Sequence, residues 1–213
     1  MGSKQIKAII FDIGRVLVRL DVQRARKGLA EGLNLTPEEL WSAIENDPRW
    51  IDWQEGRMSA RDWHQNLGNR LGIKMSYEEF RNVWNSALDP EPILPNSLFE
   101  SLKKSYTLGL LSNTDVIHVE HLESTYTFFD HFPKRVRTYS CVAGASKPKP
   151  LIFREALRAC KVRADQAVYI DDIVTYVDAA KGLGMEGIHF QSREQLLRDL
   201  REMGISGPVA STA

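Results

Sequence analysis

The sequence predicts an α/β protein: a doubly wound parallel sheet with a small α-helical segment inserted into it. Three observations carry this. Ala8-Ile9-Ile10-Phe11 is too continuously apolar for a half-exposed strand, so it reads as a strand buried on both faces of a parallel sheet. Beyond residue 89, apolar runs alternate with amphipathic helical stretches, the pattern of parallel strands joined by right-handed crossovers. Between these regions, from Asp21 to about Ala87, helical periodicity continues without a convincing strand.

Composition agrees with this division. A chain of 213 residues with 43% hydrophobic content suits one large domain or a core plus an insert. Lys and Arg total 28 against 28 Asp and Glu, so no global field favours nucleic acid or an anionic membrane as partner. Cys141 and Cys160 lack metal-type spacing and fit a reduced, cytoplasmic compartment. No apolar run approaches the ~20 residues of a membrane span, and no signal-peptide h-region is present.

Taken in order, the first strand delivers Asp12 at its C-terminal end, where ligands bind in open α/β sheets, and Gly14 is expected to let the backbone turn sharply. A helix is predicted from Val22 to about Leu33. Thr36-Pro37-Glu38-Glu39 and Ser76-Tyr77-Glu78-Glu79 are capping boxes, and Ser59-Ala60-Arg61-Asp62 is a weaker version. Together with the helix from Val22, these starts give four short helices ending near Gly32, Asn46, Leu71 and Ala87. All five tryptophans, Trp41, Trp50, Trp53, Trp63 and Trp84, lie in this region. Packing a small bundle accounts for most of them. The segment from Asp47 to Gly56 reads as irregular and exposed, which makes Trp50, Trp53, Trp63 or His64 a candidate for substrate contact.

Three prolines between Asp89 and Pro95 mark a stiff linker back to the core. Asn96 is expected to cap a helix through Lys104, and Thr107 to Leu111 is a buried strand ending at Ser112 and Asn113. Asp115 caps the next helix. A strand near Val136 to Tyr139, a helix from Pro150 to Lys161 and a strand from Ala167 to Ile170 come next. A helix from Thr175 to Leu183, a strand from Gly187 to Phe190 and a final helix from Ser192 complete the core, and residues 206–213 read as a loose tail.

Four polar stretches stand at strand ends or in loops: Asp12 with Gly14, Ser112-Asn113, Ser146-Lys147-Pro148-Lys149-Pro150, and Asp171-Asp172. In this order they resemble the signature of the haloacid dehalogenase superfamily, whose members are mostly phosphatases, and especially its sugar-phosphatase-like members with a helical cap. The resemblance implies a Rossmann-like core formed by residues 4–20 and 89–205, and a cap formed by 21–88. It implies Asp12 as nucleophile, forming an aspartyl-phosphate, and Lys147 as the ammonium that neutralises Asp12 and phosphate. Ser112 and the Asn113 amide would bind phosphate. Mg²⁺ would sit on Asp12, the Gly14 carbonyl and Asp172, with Asp171 orienting a water or Lys147. Arg15 is either a substrate contact or surface, and Lys149 reads as surface.

One departure matters. Where phosphatases of this superfamily usually carry an acid/base Asp, this sequence has Gly14, which removes a contribution typically worth ~10²–10⁴ in rate. The expected activity is Mg²⁺-dependent hydrolysis of a small phosphorylated metabolite, such as a sugar phosphate with a good leaving group, by a monomer or homodimer. A metal-independent 2-haloacid dehalogenase and a catalytically decayed binding protein remain as alternatives.

Overall fold

Four buried residues make strand β1 (Ala8–Phe11), and period-two alternation sends its side chains into two different cores. Ile9 and Phe11 join one apolar cluster, while Ala8 and Ile10 join the other on the opposite face of the sheet. The computed structural model describes residues 5–205, so Lys4 and the expected tail 206–213 lie outside the described residues.

The chain then forms β2 (Val18–Leu20) and five helices: α1 (Val22–Ala30), α2 (Pro37–Glu45), α3 (Trp50–Gln54), α4 (Ala60–Leu71) and α5 (Tyr77–Asn85). The capping boxes form as expected. Thr36 and Ser76 each accept from the backbone of a Glu three residues on, and each Glu side chain reaches back to the cap. Ser59 caps α4 through the amide of Asp62. The bundle has its own apolar cluster, which also takes in Ile117 from outside it.

After β3 (Leu88–Pro92) come α6 (Asn96–Leu102), β4 (Thr107–Ser112), α7 (Val116–Thr125), β5 (Arg137–Tyr139), α8 (Ser140–Ala143) and α9 (Pro150–Cys160). The chain closes with β6 (Ala167–Asp171), α10 (Val174–Gly182), β7 (Glu186–His189) and α11 (Arg193–Glu202). The sheet order is β5-β4-β1-β6-β7, and every pairing is parallel. With β1 central, the connections diverge to either side of it, and a crevice opens at the strands' C-terminal edge.

Three local expectations are corrected. Residues 89–92, read as the start of a linker, join Leu88 in β3, antiparallel to β2. That pairing is non-local, and proline is tolerated on such an edge. Asn96 is the first residue of α6 rather than its cap; Pro95 precedes it, and the Asn96 side chain donates to Thr127 Oγ1 at 3.0 Å. The segment expected to be irregular contains the short helix α3, with Trp53 buried. No described helix is long and apolar enough to cross a membrane.

Candidate active site

Register brings the site together. Phe11 pairs with Leu110 on one side and Ile170 on the other, so Asp12, Leu111 and Asp171 come level at the sheet edge. Parallel strands put these ends on one edge, and β1 and β6 thereby deliver their carboxylates side by side. Tyr169 lies two residues before Asp171, on the same face of β6, and its hydroxyl donates to Asp171 Oδ2.

Lys147 enters from the loop before α9 and is only 4% exposed. Its Nζ donates to Asp12 Oδ1 at 2.8 Å and to Asp171 Oδ2 at 2.7 Å. It also lies 4.9 Å from the Tyr176 ring centroid, where the ring's quadrupole favours a cation. Burial opposes charge at Lys147, but Asp12 and Asp171 outweigh it and hold its pKa above the usual lysine value. Asp12 is pushed up to about 6, chiefly by burial and further by Asp171, with Lys147 pulling the other way.

The Lys147 backbone is bracketed by one side chain. Asn113 Oδ1 accepts from the Lys147 amide at 2.7 Å, and Asn113 Nδ2 donates to its carbonyl at 3.1 Å. The sequence suggested a phosphate contact from the Asn113 amide; the structure gives the side chain this holding task. Asp171 is similarly committed, because Oδ1 accepts from the Ile173 amide at 2.8 Å while Oδ2 takes Lys147 and Tyr169.

Asp172 borders the same cleft as Lys147 but pairs with a different cation from Asp171. It is half-buried, and its nearest cation is Arg15, at 3.8 Å. Burial raises its pKa, Asp171 adds to the rise, and Arg15 opposes it. The left-handed residue of the loop after β1 is Arg15, at φ 58°, so the sharp turn expected of Gly14 falls one residue later. Asp12, Gly14, Arg15, Ser112, Asn113 and Asp172 all border one cleft of about 170 Å³ with Lys147.

Asp12, Asp171 and Asp172 each offer an oxygen within 4.8 Å of the others. Three carboxylates against one buried ammonium leave an excess of negative charge and a hard oxygen donor set, which fits Mg²⁺. The cysteines are poor nucleophile candidates: both are free, and burial pushes Cys141 up to about 12 and Cys160 to about 11.

The helical segment reaches this site through Glu55, which the sequence did not single out. Glu55 is 3% exposed, and its Oε1 accepts from the Ser146 amide at 3.1 Å, from Ser146 Oγ at 2.7 Å and from Lys149 Nζ. Arg57 donates to Oε2 at 2.7 Å. Lys149, expected at the surface, is half exposed yet pairs with Glu55. Next to it, Gly56 has φ 70°, and a Cβ there would lie 1.9 Å from the Cys141 carbonyl oxygen. A second tie is buried: Trp84 Nε1 donates to Asp115 Oδ2 at 2.9 Å, and Asp115 Oδ1 caps α7 through the Ile117 and His118 amides.

The tryptophans divide by role. Trp53 and Trp63 stack in the bundle interior with ring centroids 5.9 Å apart, and His64 is spent on the Met75 carbonyl and the Phe80 ring. Trp50 alone of the four sequence candidates lines the cavity beside the cleft, joined there by Trp41 and Trp84.

Residues 6–184 match the family model of the haloacid dehalogenase-like hydrolases. The chain is a haloacid dehalogenase-like hydrolase. This hydrolase is 26% identical over 192 residues to a D-ribitol-5-phosphate phosphatase of Bacteroides thetaiotaomicron, covering 85% of this chain and 90% of that one. It is 24% identical to a sesquiterpene phosphatase of Aspergillus oryzae, over 92% of this chain and 96% of the other. Its fold superposes at a TM-score of 0.74 on a HAD family enzyme of B. thetaiotaomicron in complex with magnesium and inorganic phosphate. That match has 24% identity and covers 88% and 96% of the two chains.

Proposed function

We propose that this hydrolase is a Mg²⁺-dependent phosphatase acting on a small phosphate monoester through an aspartyl-phosphate on Asp12. The observation that carries the proposal is the convergence of Asp12, Lys147, Asp171 and Asp172 from three separate segments onto one strand edge. Phosphatase-named relatives support the same reaction class.

A phosphate monoester repels nucleophiles, so the site must supply positive charge and hold the attacking group in line. Lys147 supplies part of that charge, and Asn113 and Asp171 fix its position. Asp12 and Asp172, with the Gly14 carbonyl, would hold Mg²⁺, because the Asp171 oxygens are already committed. Bound there, Mg²⁺ neutralises phosphoryl charge and keeps the Asp12 carboxylate ionised. Asp12 then attacks phosphorus while the bond to the leaving oxygen breaks, and that oxygen departs with the electron pair. Ser112 and the Asn113 amide are assigned to phosphate oxygens at the cleft wall. Water hydrolyses the acyl phosphate, releasing inorganic phosphate and restoring Asp12. Residues 21–88 serve as a cap over a core of 4–20 and 89–205, with the Glu55 and Trp84 contacts as its anchors on the core.

The three-carboxylate cluster supports this reaction over metal-independent dehalogenation, which has no use for it. Phosphate release should require Mg²⁺, stop with EDTA and vanish in Asp12→Asn. Halide release from a 2-haloacid that persists in EDTA, or Mg²⁺ binding with no ester hydrolysed, would overturn the reading.

A further inference from the structure

Beside the cleft lies a second cavity of about 210 Å³, between the helical segment and the sheet edge. It shares Gly14, Leu20, Ser112 and Asn113 with the cleft, so the two are contiguous. A group esterified to a phosphate in the cleft therefore has this chamber in front of it.

Trp41, Trp50 and Trp84 form much of the chamber wall, with Ala25, Leu88 and Leu122. Of its polar groups, those of Asp115, His118 and Asn113 are engaged, while Trp41 Nε1 is buried without a partner. Asp115 accepts from Trp84 Nε1 and lies 3.2 Å from His118 Nδ1, while His118 Nε2 faces the Trp84 carbonyl at 3.2 Å. Asn113 is committed to Lys147. A polyol would carry several hydroxyls against a mostly indole and aliphatic wall, where Trp41 Nε1 and the Gln54 amide are among the few polar groups on offer, at a cost for each hydroxyl left unmet. A flat apolar ring has indole surface to pack against instead. The size agrees, since an apolar cavity of ~150 Å³ accepts benzene.

The chemistry at position 14 points the same way. A Cβ on Gly14 would lie 3.1 Å from Leu20 Cδ1, so an apolar side chain fills the space beside the reacting centre where an acid would otherwise extend. A leaving group that departs without a proton donor must itself be acidic. A phenol, with a pKa of ~10 as in tyrosine, meets that need far better than an aliphatic alcohol.

We propose that the substrates of this site are aryl monophosphates, with the phenolic ring seated among Trp41, Trp50 and Trp84. This rests on the phosphatase reading above. Phenyl phosphate and 4-ethylphenyl phosphate have leaving groups of similar acidity and differ by two apolar carbons. With the full chain and Mg²⁺, kcat/KM should rise about fifteenfold from the first to the second, given about fourfold for each fully buried methylene. Glucose 1-phosphate should fall well below both. Ala25→Leu, which fills the chamber, should bring the ethyl-to-phenyl ratio below two, with a melting curve run alongside to verify folding. A ratio near one in the wild-type protein, or glucose 1-phosphate as the better substrate, overturns the aryl assignment and leaves the phosphatase standing. Release from none of the esters overturns both.

Discussion

Replacing Glu55 by Gln keeps the shape of a side chain buried between the helical segment and the Lys147 loop, and removes its charge. Four donors then lose a carboxylate: the Ser146 amide and hydroxyl, Lys149 Nζ and the Arg57 guanidinium. Hydrogen bonds to a charged group contribute about 1.5–3 kcal/mol each when buried. Lys149 and Arg57 are 53% and 49% exposed, so water screens their share, and the amide oxygen of Gln can still accept one bond. The net loss should be roughly 2–3 kcal/mol. In a domain of this size that lowers Tm by about 5–10 °C.

The pH dependence gives a second, independent check. Burial would raise the Glu55 pKa, but hydrogen bonds from Lys149, Arg57 and Ser146 outweigh it and bring it down to about 2 from 4.5. A carboxylate held low in the folded state contributes stability that is fully present above its unfolded pKa and lost as pH falls through the folded value. The wild-type advantage over Glu55→Gln should therefore be constant from pH 7 to pH 5. It should shrink from about pH 4.5 downward and disappear near pH 2. Thermal and urea unfolding of both proteins across this range measure it. A Tm difference below about 1 °C at pH 7, or an advantage that grows on acidification, refutes the reasoning.

Mg²⁺ should raise Tm in the wild-type protein and not in Asp172→Asn, read by differential scanning calorimetry. Because Asp12 takes up a proton near pH 6, Mg²⁺ affinity by titration calorimetry should be flat above pH 7 and fall below pH 6. Lys147→Met leaves Asp12 and Asp171 buried without their counter-charge and should cost about 3–5 kcal/mol in urea unfolding, part of which Asp171→Asn restores. Gly14→Asp combined with Leu20→Ala, which clears the contact at 3.1 Å, should raise turnover of alkyl phosphates by about 10–10³-fold in steady-state kinetics.

The buried strands, the capped helices and the order of the polar stretches along the chain were legible in the sequence, because each depends on periodicity or on hydrogen bonds spanning three or four residues. Thr36, Ser59, Ser76 and Asp115 cap the helices they announce. Tyr169 was open to the same reasoning, since period two puts it on the face of Asp171. What only the tertiary structure decided is non-local. Nothing near Glu55 signals a partner 91 positions away, and nothing in Asn113 announces that it holds Lys147 in place. Trp50 differs from Trp53 only in the direction it faces once the bundle has packed against α7 and the sheet edge. Packing assigns one indole to the bundle core and the other to the chamber, because burial is settled by which surfaces meet and not by residue type.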